Sequence, residues 1–206
     1  MCGRYALHSS PEVIRLQFGL RSLPAFPPRY NIAPTAQVLM VRKDGAALAR
    51  WGIGAKLFNA RVETLAMRPA FRDAYRKRRC LIPANGFYEW KALPRGKQPY
   101  YVRSARGELF AFAGLWDSDA CTIITTDANA ALRNLHGRMP AIIAPADYAR
   151  WLDGADDLLH PAPDDAVFAY PVGDSVSQAA LDTPQLIEPA DSTIPRRGAT
   201  GELFGD

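Results

Sequence analysis

The sequence contains few cysteines, and their spacing excludes two common roles. Cys2, Cys80 and Cys121 are the only cysteines among 206 residues. An odd number of widely separated cysteines argues against a disulfide framework, and none stands in the CxxC or Cys/His spacing of a zinc site. We therefore expect no bound metal and no cofactor, and we expect Cys80 and Cys121 to be buried strand residues.

Long apolar segments are also missing. No run approaches the roughly 18 apolar residues of a membrane-spanning helix, and the first residues do not form a basic and apolar leader. We expect a protein of the bacterial cytosol or nucleoid that does not enter membranes. Hydrophobic residues make up 48% of the chain, enough for the core of one domain that folds alone, and nothing requires more than a monomer.

Acidic residues are scarce in the first two-thirds of the chain. Residues 1–140 contain 22 lysines and arginines against 9 acidic residues, whereas residues 141–206 contain 3 against 12. The formal net charge of +4 therefore hides a strongly basic portion. A solvated basic face is the ordinary explanation, but arginine predominates and its planar fork suits phosphate, which favours a nucleic acid partner.

Short apolar runs recur along the chain and predict a sheet protein. They favour strands at residues 2–7, 37–42, 47–52, 80–90, 100–103, 109–116, 121–126, 141–144 and 167–172. Helices are predicted at residues 10–18, 68–79, 127–135 and 145–152. We predict an α+β fold, a single domain at residues 1–189 with a mainly antiparallel, barrel-like β-sheet flanked by short helices. The polar, Pro/Gly-rich residues 190–206 predict a flexible C-terminal tail.

Cys2 directly follows Met1, which is normally removed when the next residue is small. Cys2 would then carry an α-amine and a thiol on adjacent carbons. An aldehyde can condense with the amine to give a Schiff base, and the sulfur can then close a five-membered thiazolidine. Reference pKa values of about 7.7–8.0 for the amine and about 8.5 for the thiol leave both nucleophiles usable near neutrality. The alternative is a small residue that starts a strand.

Three further segments contain polar residues suited to chemistry. If Asn59-Ala60-Arg61 is extended, Asn59 and Arg61 project from one face and could hold a sugar oxygen and its phosphate, although a capping Asn and a surface Arg are the alternative. Glu89 lies among aromatic residues, where burial would favour its neutral acid, unless an arginine pairs with it. His136 precedes a Gly and Arg138, so it is either a proton carrier or a structural histidine.

These segments, in this order, resemble the SRAP family (SOS response-associated peptidase domain), whose members shield abasic sites in single-stranded DNA by covalent attachment. The resemblance rests on MCGRYAL, RYNIAPT, RWG, NARVET, CLIPANGFYEW, FAGLWD, TIITTDAN, LHGRMPAII and PQLIEP, and it spans residues 2 to about 189. It implies a DNA-damage-response enzyme that binds single-stranded DNA containing abasic sites.

The resemblance also implies a role for each matching residue. Cys2 would be the nucleophile that forms a thiazolidine with the abasic sugar. Asn59 would hold the sugar hydroxyl or the adduct, Glu89 would position the α-amine and move protons, and His136 would help open the sugar ring. DNA contacts are implied for a further set, with the arginines on phosphates and the tryptophan stacked on a base: Arg4, Arg61, Arg138 and Trp51.

Two other functions remain open at this point. The family name implies a cysteine-dependent peptidase or autoprotease, with Cys2 as nucleophile and His136 as base, and a lyase that stops at the Schiff base is a variant of the same chemistry. The other alternative is a noncovalent single-strand binding module in which Cys2 is incidental.

Overall fold

The structure, a computed structural model, describes residues 2–54 and 56–190, and their strands fall into two sheets. Twelve strands occur in these residues: β1 (Tyr5–Leu7), β2 (Arg29–Ile32), β3 (Gln37–Arg42), β4 (Gly45–Trp51), β5 (Asn59–Arg61), β6 (Arg79–Ala84), β7 (Gly86–Ala92), β8 (Lys97–Ser104), β9 (Phe110–Asp117), β10 (Ala120–Asp127), β11 (Arg138–Pro140) and β12 (Val167–Pro171).

One of the two sheets closes on itself. The first sheet is open, with the antiparallel order β12-β8-β7-β1-β2. The second has the order β11-β10-β4-β3-β6-β9, and β10 also pairs with β9, so five strands form a ring. The parallel pairings within the described residues are those of β4 and β5 with β10. The prediction of a mainly antiparallel, barrel-like sheet in an α+β domain is confirmed.

Short helices flank the sheets at α1 (Pro11–Phe18), α2 (Val62–Leu65), α3 (Pro69–Lys77), α4 (Ala130–Arg133) and α5 (Tyr148–Asp153). Helix α1 begins as predicted, because Ser10 Oγ accepts the Val13 N–H at 3.4 Å and Pro11 occupies the first turn. Helix α3 buries Phe71 and Ala74 against the sheet. Its exposed side is cationic, as the sequence pattern predicts: Arg72, Arg76 and Lys77.

The predicted strand at residues 80–90 is two strands in different sheets. Strand β6 belongs to the ring and β7 to the open sheet, and the chain turns between them at Asn85. The Asn85 side chain accepts the N–H groups of His8 and Ser9 at 2.7 and 3.0 Å. Gly86 follows because a Cβ there would lie 2.5 Å from the Val102 carbonyl oxygen. The pair Asn85-Gly86 is typical of a turn, but the apolar residues on both sides of it led to the prediction of one continuous strand.

Other differences concern short elements. Strands β2 and β5 and helix α2 are only three or four residues long and carry no periodicity of their own. The strand expected at residues 141–144 ends earlier, as β11, although Ile142 still forms a single bridge to Phe112. The predicted helix at residues 127–135 shortens to α4, because Asp127 still belongs to β10. Pairing across the sheet, rather than local pattern, defines these elements.

An aromatic cluster joins the open sheet to the ring. The buried Tyr5 ring of β1 meets Trp51 of β4 edge-on at 5.2 Å and Phe112 of β9 at 6.0 Å between ring centroids. Such edge-to-face pairs stabilise a core by about 0.5–1.5 kcal/mol beyond area burial. Cys80 and Cys121 are buried in the same core, as expected.

The segment near residue 180 is tied to the start of the chain by buried polar contacts. Asn31 Nδ2 donates to the carbonyls of Val176, Gln178 and Leu181 at 3.2, 3.0 and 2.7 Å. Asn31 Oδ1 accepts Arg4 Nη1 at 2.8 Å. The predicted tail at residues 190–206 lies outside the described residues from residue 191 onward, while Ala190 donates its N–H to Pro171 at 2.9 Å. Among the described residues, no helix is long and apolar enough to cross a membrane.

Candidate active site

Strand β10 organises the site because two site-bearing segments pair with its end. Strand β5 runs parallel to β10, with Asn59 opposite Ile123 and Arg61 opposite Thr125. On the other side, β11 places Arg138 opposite Asp127. Strand β5 is extended with Ala60 buried, so Asn59 and Arg61 do project from one face, as predicted.

Asn59 makes the direct contact with Cys2. Its Nδ2 donates to the Cys2 carbonyl oxygen at 2.7 Å. Asn59 Oδ1 is buried and, within residues 2–54 and 56–190, accepts no hydrogen bond. The amide therefore holds the backbone of Cys2 through its nitrogen and presents an acceptor oxygen beside it, ready for a donor such as an amine or a hydroxyl.

Glu89 belongs to β7 of the open sheet and also lies near Cys2. Strand β7 pairs with β1 so that Phe87 lies opposite Tyr5, which directs β7 past the residues that precede Tyr5. The Tyr88 N–H donates to the Arg4 carbonyl at 2.9 Å. Glu89 is only 4% exposed, and burial raises the pKa of its carboxyl above the usual range, while the nearby His136 lowers it.

The Cys2 thiol is buried and protonated near neutrality. Its Sγ lies 3.8 Å from the Arg4 carbonyl oxygen, and the side chain is 0% exposed. Burial raises the pKa of the thiol well above its ordinary value, and the Glu89 carboxylate adds to the effect. The protonated thiol is therefore favoured at this site, and a thiolate is disfavoured.

His136 completes the group of predicted catalytic residues. Its Nδ1 lies 4.0 Å from Glu89 Oε1 and accepts the Arg138 N–H at 3.0 Å. The same nitrogen lies 3.2 Å from the Arg138 carbonyl oxygen, so the Arg138 backbone fixes the orientation of the imidazole ring. The side chain is partly exposed, so it can meet a molecule that arrives from solvent. The structure thus brings together Cys2, Asn59, Glu89 and His136.

Trp51 does not have the position expected of a DNA-stacking residue, and that prediction is corrected. Its ring is 0% exposed, packs edge-on against Phe58 at 6.1 Å, and donates its Nε1–H to the Phe58 carbonyl at 2.8 Å. No face of the ring is available for a base. The RWG motif in the sequence gave a large aromatic residue but could not show that it pointed into the barrel.

The three predicted phosphate-binding arginines have different surroundings. Arg61 is exposed beside Asn59. Arg4 uses Nη1 for Asn31 and for the Val176 carbonyl at 3.0 Å, so a phosphate would have to meet its other nitrogens. Arg138 is paired with the carboxylates of Glu63 and Asp127. Their DNA contacts stay predictions.

An open cleft of about 490 Å³ lies directly beside Asn59. Its lining combines three cations with one partly exposed aromatic ring: Lys56, Arg61, Arg68 and Phe58, together with Leu57 and Thr64. Sequence reasoning missed Phe58, Lys56 and Arg68 as site residues. The sequence signal that could have indicated them is their closeness to Asn59 and Arg61. The packing of α2 against β5 brings these cleft residues together. Within the described residues no three His, Cys, Asp or Glu side chains are grouped to hold a metal ion.

The fold and these residues agree with one protein family. The model of the SOS response associated peptidase (SRAP) family matches residues 1–179. The chain belongs to this family. The structure is similar to a solved protein from Bacteroides thetaiotaomicron, with a TM-score of 0.85 at 22% identity over 92% of this chain and 100% of that one. A protein from Bordetella bronchiseptica gives a TM-score of 0.75 at 27% identity over 84% of this chain and all of that one.

Named relatives match most of the chain. Abasic site processing protein YoqW of Bacillus subtilis (strain 168) is 37% identical over 222 residues, which covers 91% of this chain and 99% of YoqW. Abasic site processing protein YedK of Escherichia coli (strain K12) is 28% identical over 176 residues, covering 74% of this chain and 79% of YedK.

Proposed function

We propose that this protein processes abasic sites in single-stranded DNA and that it does so by forming a covalent bond through Cys2. The names of its relatives support the first part. One observation supports the second part: Asn59, on β5, donates a hydrogen bond of 2.7 Å to the Cys2 carbonyl oxygen and so fixes the position of Cys2.

The proposed reaction begins once Met1 has been removed and Cys2 has a free α-amine. An abasic deoxyribose in its open form presents an aldehyde. The amine adds to the aldehyde carbon, and loss of one water gives an imine. The Cys2 sulfur then adds to the imine carbon while the thiol proton passes to the nitrogen, which closes the thiazolidine. The net change is the loss of one water, with no oxidant or reductant.

The surroundings of each group suit these steps. A protonated Cys2 thiol fits ring closure because its proton is needed on nitrogen. Glu89, whose pKa is raised by burial, is a suitable group to accept and return a proton during these steps. His136 is partly exposed and its Nδ1 lies 4.0 Å from Glu89 Oε1, so these two groups can carry a proton to the ring oxygen as the sugar opens. Asn59 Oδ1 can accept from the α-amine or from a sugar hydroxyl.

The cleft beside Asn59 suits a single strand. Lys56, Arg61 and Arg68 supply positive charge for phosphates, and the partly exposed Phe58 ring offers a surface on which a base can stack. Phosphate contacts and stacking tolerate any sequence, so selectivity comes from the aldehyde and from unpaired DNA. A peptidase reaction is less suited to this site because the buried thiol resists forming the thiolate that attacks a peptide carbonyl.

The decisive experiment mixes the protein with a single-stranded oligonucleotide that contains one abasic site, followed by denaturing electrophoresis and intact-mass analysis. We expect a species with the mass of the DNA plus the protein without Met1, minus one water. Cys2→Ala should abolish it, whereas Cys121→Ala, which removes another buried thiol, should retain it. Duplex DNA should react poorly. Noncovalent binding that survives Cys2→Ala without any adduct would favour a simple binding module instead.

A further inference from the structure

The guanidinium of Arg138 is occupied by acidic side chains. Nη1 donates to Glu63 Oε1 and Nη2 donates to Glu63 Oε2 at 3.1 Å, a two-pronged contact on one edge of the guanidinium. Nη1 also donates to Asp127 Oδ1 at 2.8 Å, and Nη2 donates to the Thr125 carbonyl at 2.6 Å. The Glu63 carboxylate thus takes the edge of Arg138 that a phosphate would use.

This ion pair spans the end of β10, where β5 and β11 both pair with it. Glu63 follows Arg61 by two residues and lies in α2, directly after the strand that carries Asn59. Arg138 follows His136 by two residues, and its backbone N–H holds His136 Nδ1. The pair therefore joins the segment that carries Asn59 to the loop that carries His136.

We propose that Glu63 is a displaceable anion that occupies the phosphate-binding edge of Arg138 in the free protein, and that a backbone phosphate of the bound strand takes its place. The proposal rests on the proposed function and adds a residue that sets its specificity. Every strand has to displace Glu63 in order to bind, so intact single strands bind weakly. A strand with an abasic site is retained because the covalent bond follows.

The properties of Glu63 suit an exchange of this kind. Its side chain is 47% exposed and belongs to a helix of only four residues, so it can move into solvent. The hydrogen bond from Arg138 holds the pKa of its carboxyl below the usual range, so it is charged at neutral pH. The Arg138 side chain is only 14% exposed, so Glu63 is the mobile partner of the pair, and a phosphate that forms two charge-assisted hydrogen bonds can replace its carboxylate.

The test measures the affinity for an intact single-stranded oligonucleotide by fluorescence anisotropy. We expect Glu63→Gln to bind about two- to fivefold more tightly than the original protein, which is the range an exposed ion pair supports. Its affinity should also fall more steeply with salt, because one more phosphate contact forms with release of counterions. Asp73→Asn is the matched control: it removes the same charge from the nearby α3, where Asp73 lies 3.6 Å from Arg72.

A second measurement separates displacement from general charge and from stability. With Arg138 already changed to Gln, Glu63→Gln should give no further gain in affinity, because the guanidinium that Glu63 would release is absent. Equal gains for Glu63→Gln and Asp73→Asn, or no gain at all, would overturn the proposal, as would a gain that persists without Arg138. If the ion pair only stabilises the fold, Glu63→Gln should lower the melting temperature and should not tighten DNA binding. Adduct formation on abasic DNA is scored separately, so its failure would refute the proposed function and leave this affinity test intact.

Discussion

Asn59 Nδ2 donates a hydrogen bond of 2.7 Å to the carbonyl oxygen of Cys2. The contact joins two segments that are 57 residues apart in sequence. Asn59 is itself fixed by the parallel pairing of β5 with β10, a strand of the closed ring. The position of Cys2 thus depends on the ring rather than on the local conformation of the first residues, and a reactive end of the chain gains a rigid support.

Replacing Asn59 should slow the reaction more than it harms the fold. Asn59→Ala removes one hydrogen bond to a backbone carbonyl, which stabilises the fold by about 0.5–1.5 kcal/mol. We expect adduct formation at saturating DNA to slow by about tenfold or more, since both the support of Cys2 and the free Oδ1 acceptor disappear. Single-turnover rates and melting temperatures measure the two effects. An unchanged rate would show that Asn59 has only a structural role.

Glu89 should make stability depend on pH in a defined direction. Burial raises the pKa of Glu89 in the folded protein above that of the unfolded chain, so the stability from the neutral acid is full below the unfolded value and is lost as pH rises through the folded one. Glu89→Gln keeps a neutral side chain at every pH. Its melting temperature relative to the original protein should therefore increase from pH 4 to pH 7, while adduct formation falls. A difference that does not change with pH would contradict this.

Trp51 should matter for folding and not for DNA binding. Trp51→Ala would remove a fully buried ring and is expected to destabilise the protein by about 3–5 kcal/mol. Trp51→Phe keeps most of the volume but loses the hydrogen bond to the Phe58 carbonyl, so we expect a loss of about 1–3 kcal/mol. Denaturant titration measures both changes. If folded Trp51→Phe protein bound single-stranded DNA much more weakly, the buried position would not describe its role.

Phe58 should take the stacking role that the sequence assigned to Trp51. Phe58→Leu keeps an apolar side chain at the cleft but removes the ring, and we expect affinity for single-stranded DNA to fall by about 1–3 kcal/mol. Phe58→Tyr should restore it. Phe168→Leu is the control, because Phe168 is also an exposed aromatic residue but lies on β12, beside Arg103. Equal losses for the two leucine variants would argue against stacking at the cleft.

Asn31 should be important for stability. It is 1% exposed, and its amide contacts three carbonyls and the Arg4 side chain. Asn31→Ala would leave these groups without their partner, so we expect a loss of about 2–4 kcal/mol in the free energy of unfolding. Asn134→Ala, on the exposed end of α4, should change it by less than about 0.5 kcal/mol. Similar values for both variants would contradict the bridging role.

The sequence predicted what depends on local pattern. Apolar runs located most long strands, and Ser10 with Pro11 located the start of α1. The four candidate catalytic residues were predicted from residue type together with the family motifs, and the structure brings them together. Fold class and barrel-like closure followed from many short strands with few helices between them.

The sequence could not predict what depends on distant pairing. Strand β5 exists because β10 pairs with it, and the three letters NAR contain no strand signal. The buried position of Trp51 follows from the edge contacts with Tyr5 and Phe58, and no local pattern shows which side of a strand faces a closed ring. Similarly, the pairing of Arg138 with Glu63 joins residues 75 positions apart.

The two parallel neighbours of β10 lie end to end along it. Trp51 of β4 is opposite Cys121, and Asn59 of β5 is opposite Ile123. Trp51 and Asn59 are eight residues apart in sequence, whereas their partners on β10 are only two residues apart. Gly52 donates its N–H to the Cys121 carbonyl and the Phe58 carbonyl accepts the Ile123 N–H, so both ends of the connection are still hydrogen-bonded to β10. A change of chain length between Gly52 and Phe58 would leave Asn59 in register with β10, which makes this connection a natural place for the family to diversify, and for an engineer to graft new loops, without moving Asn59.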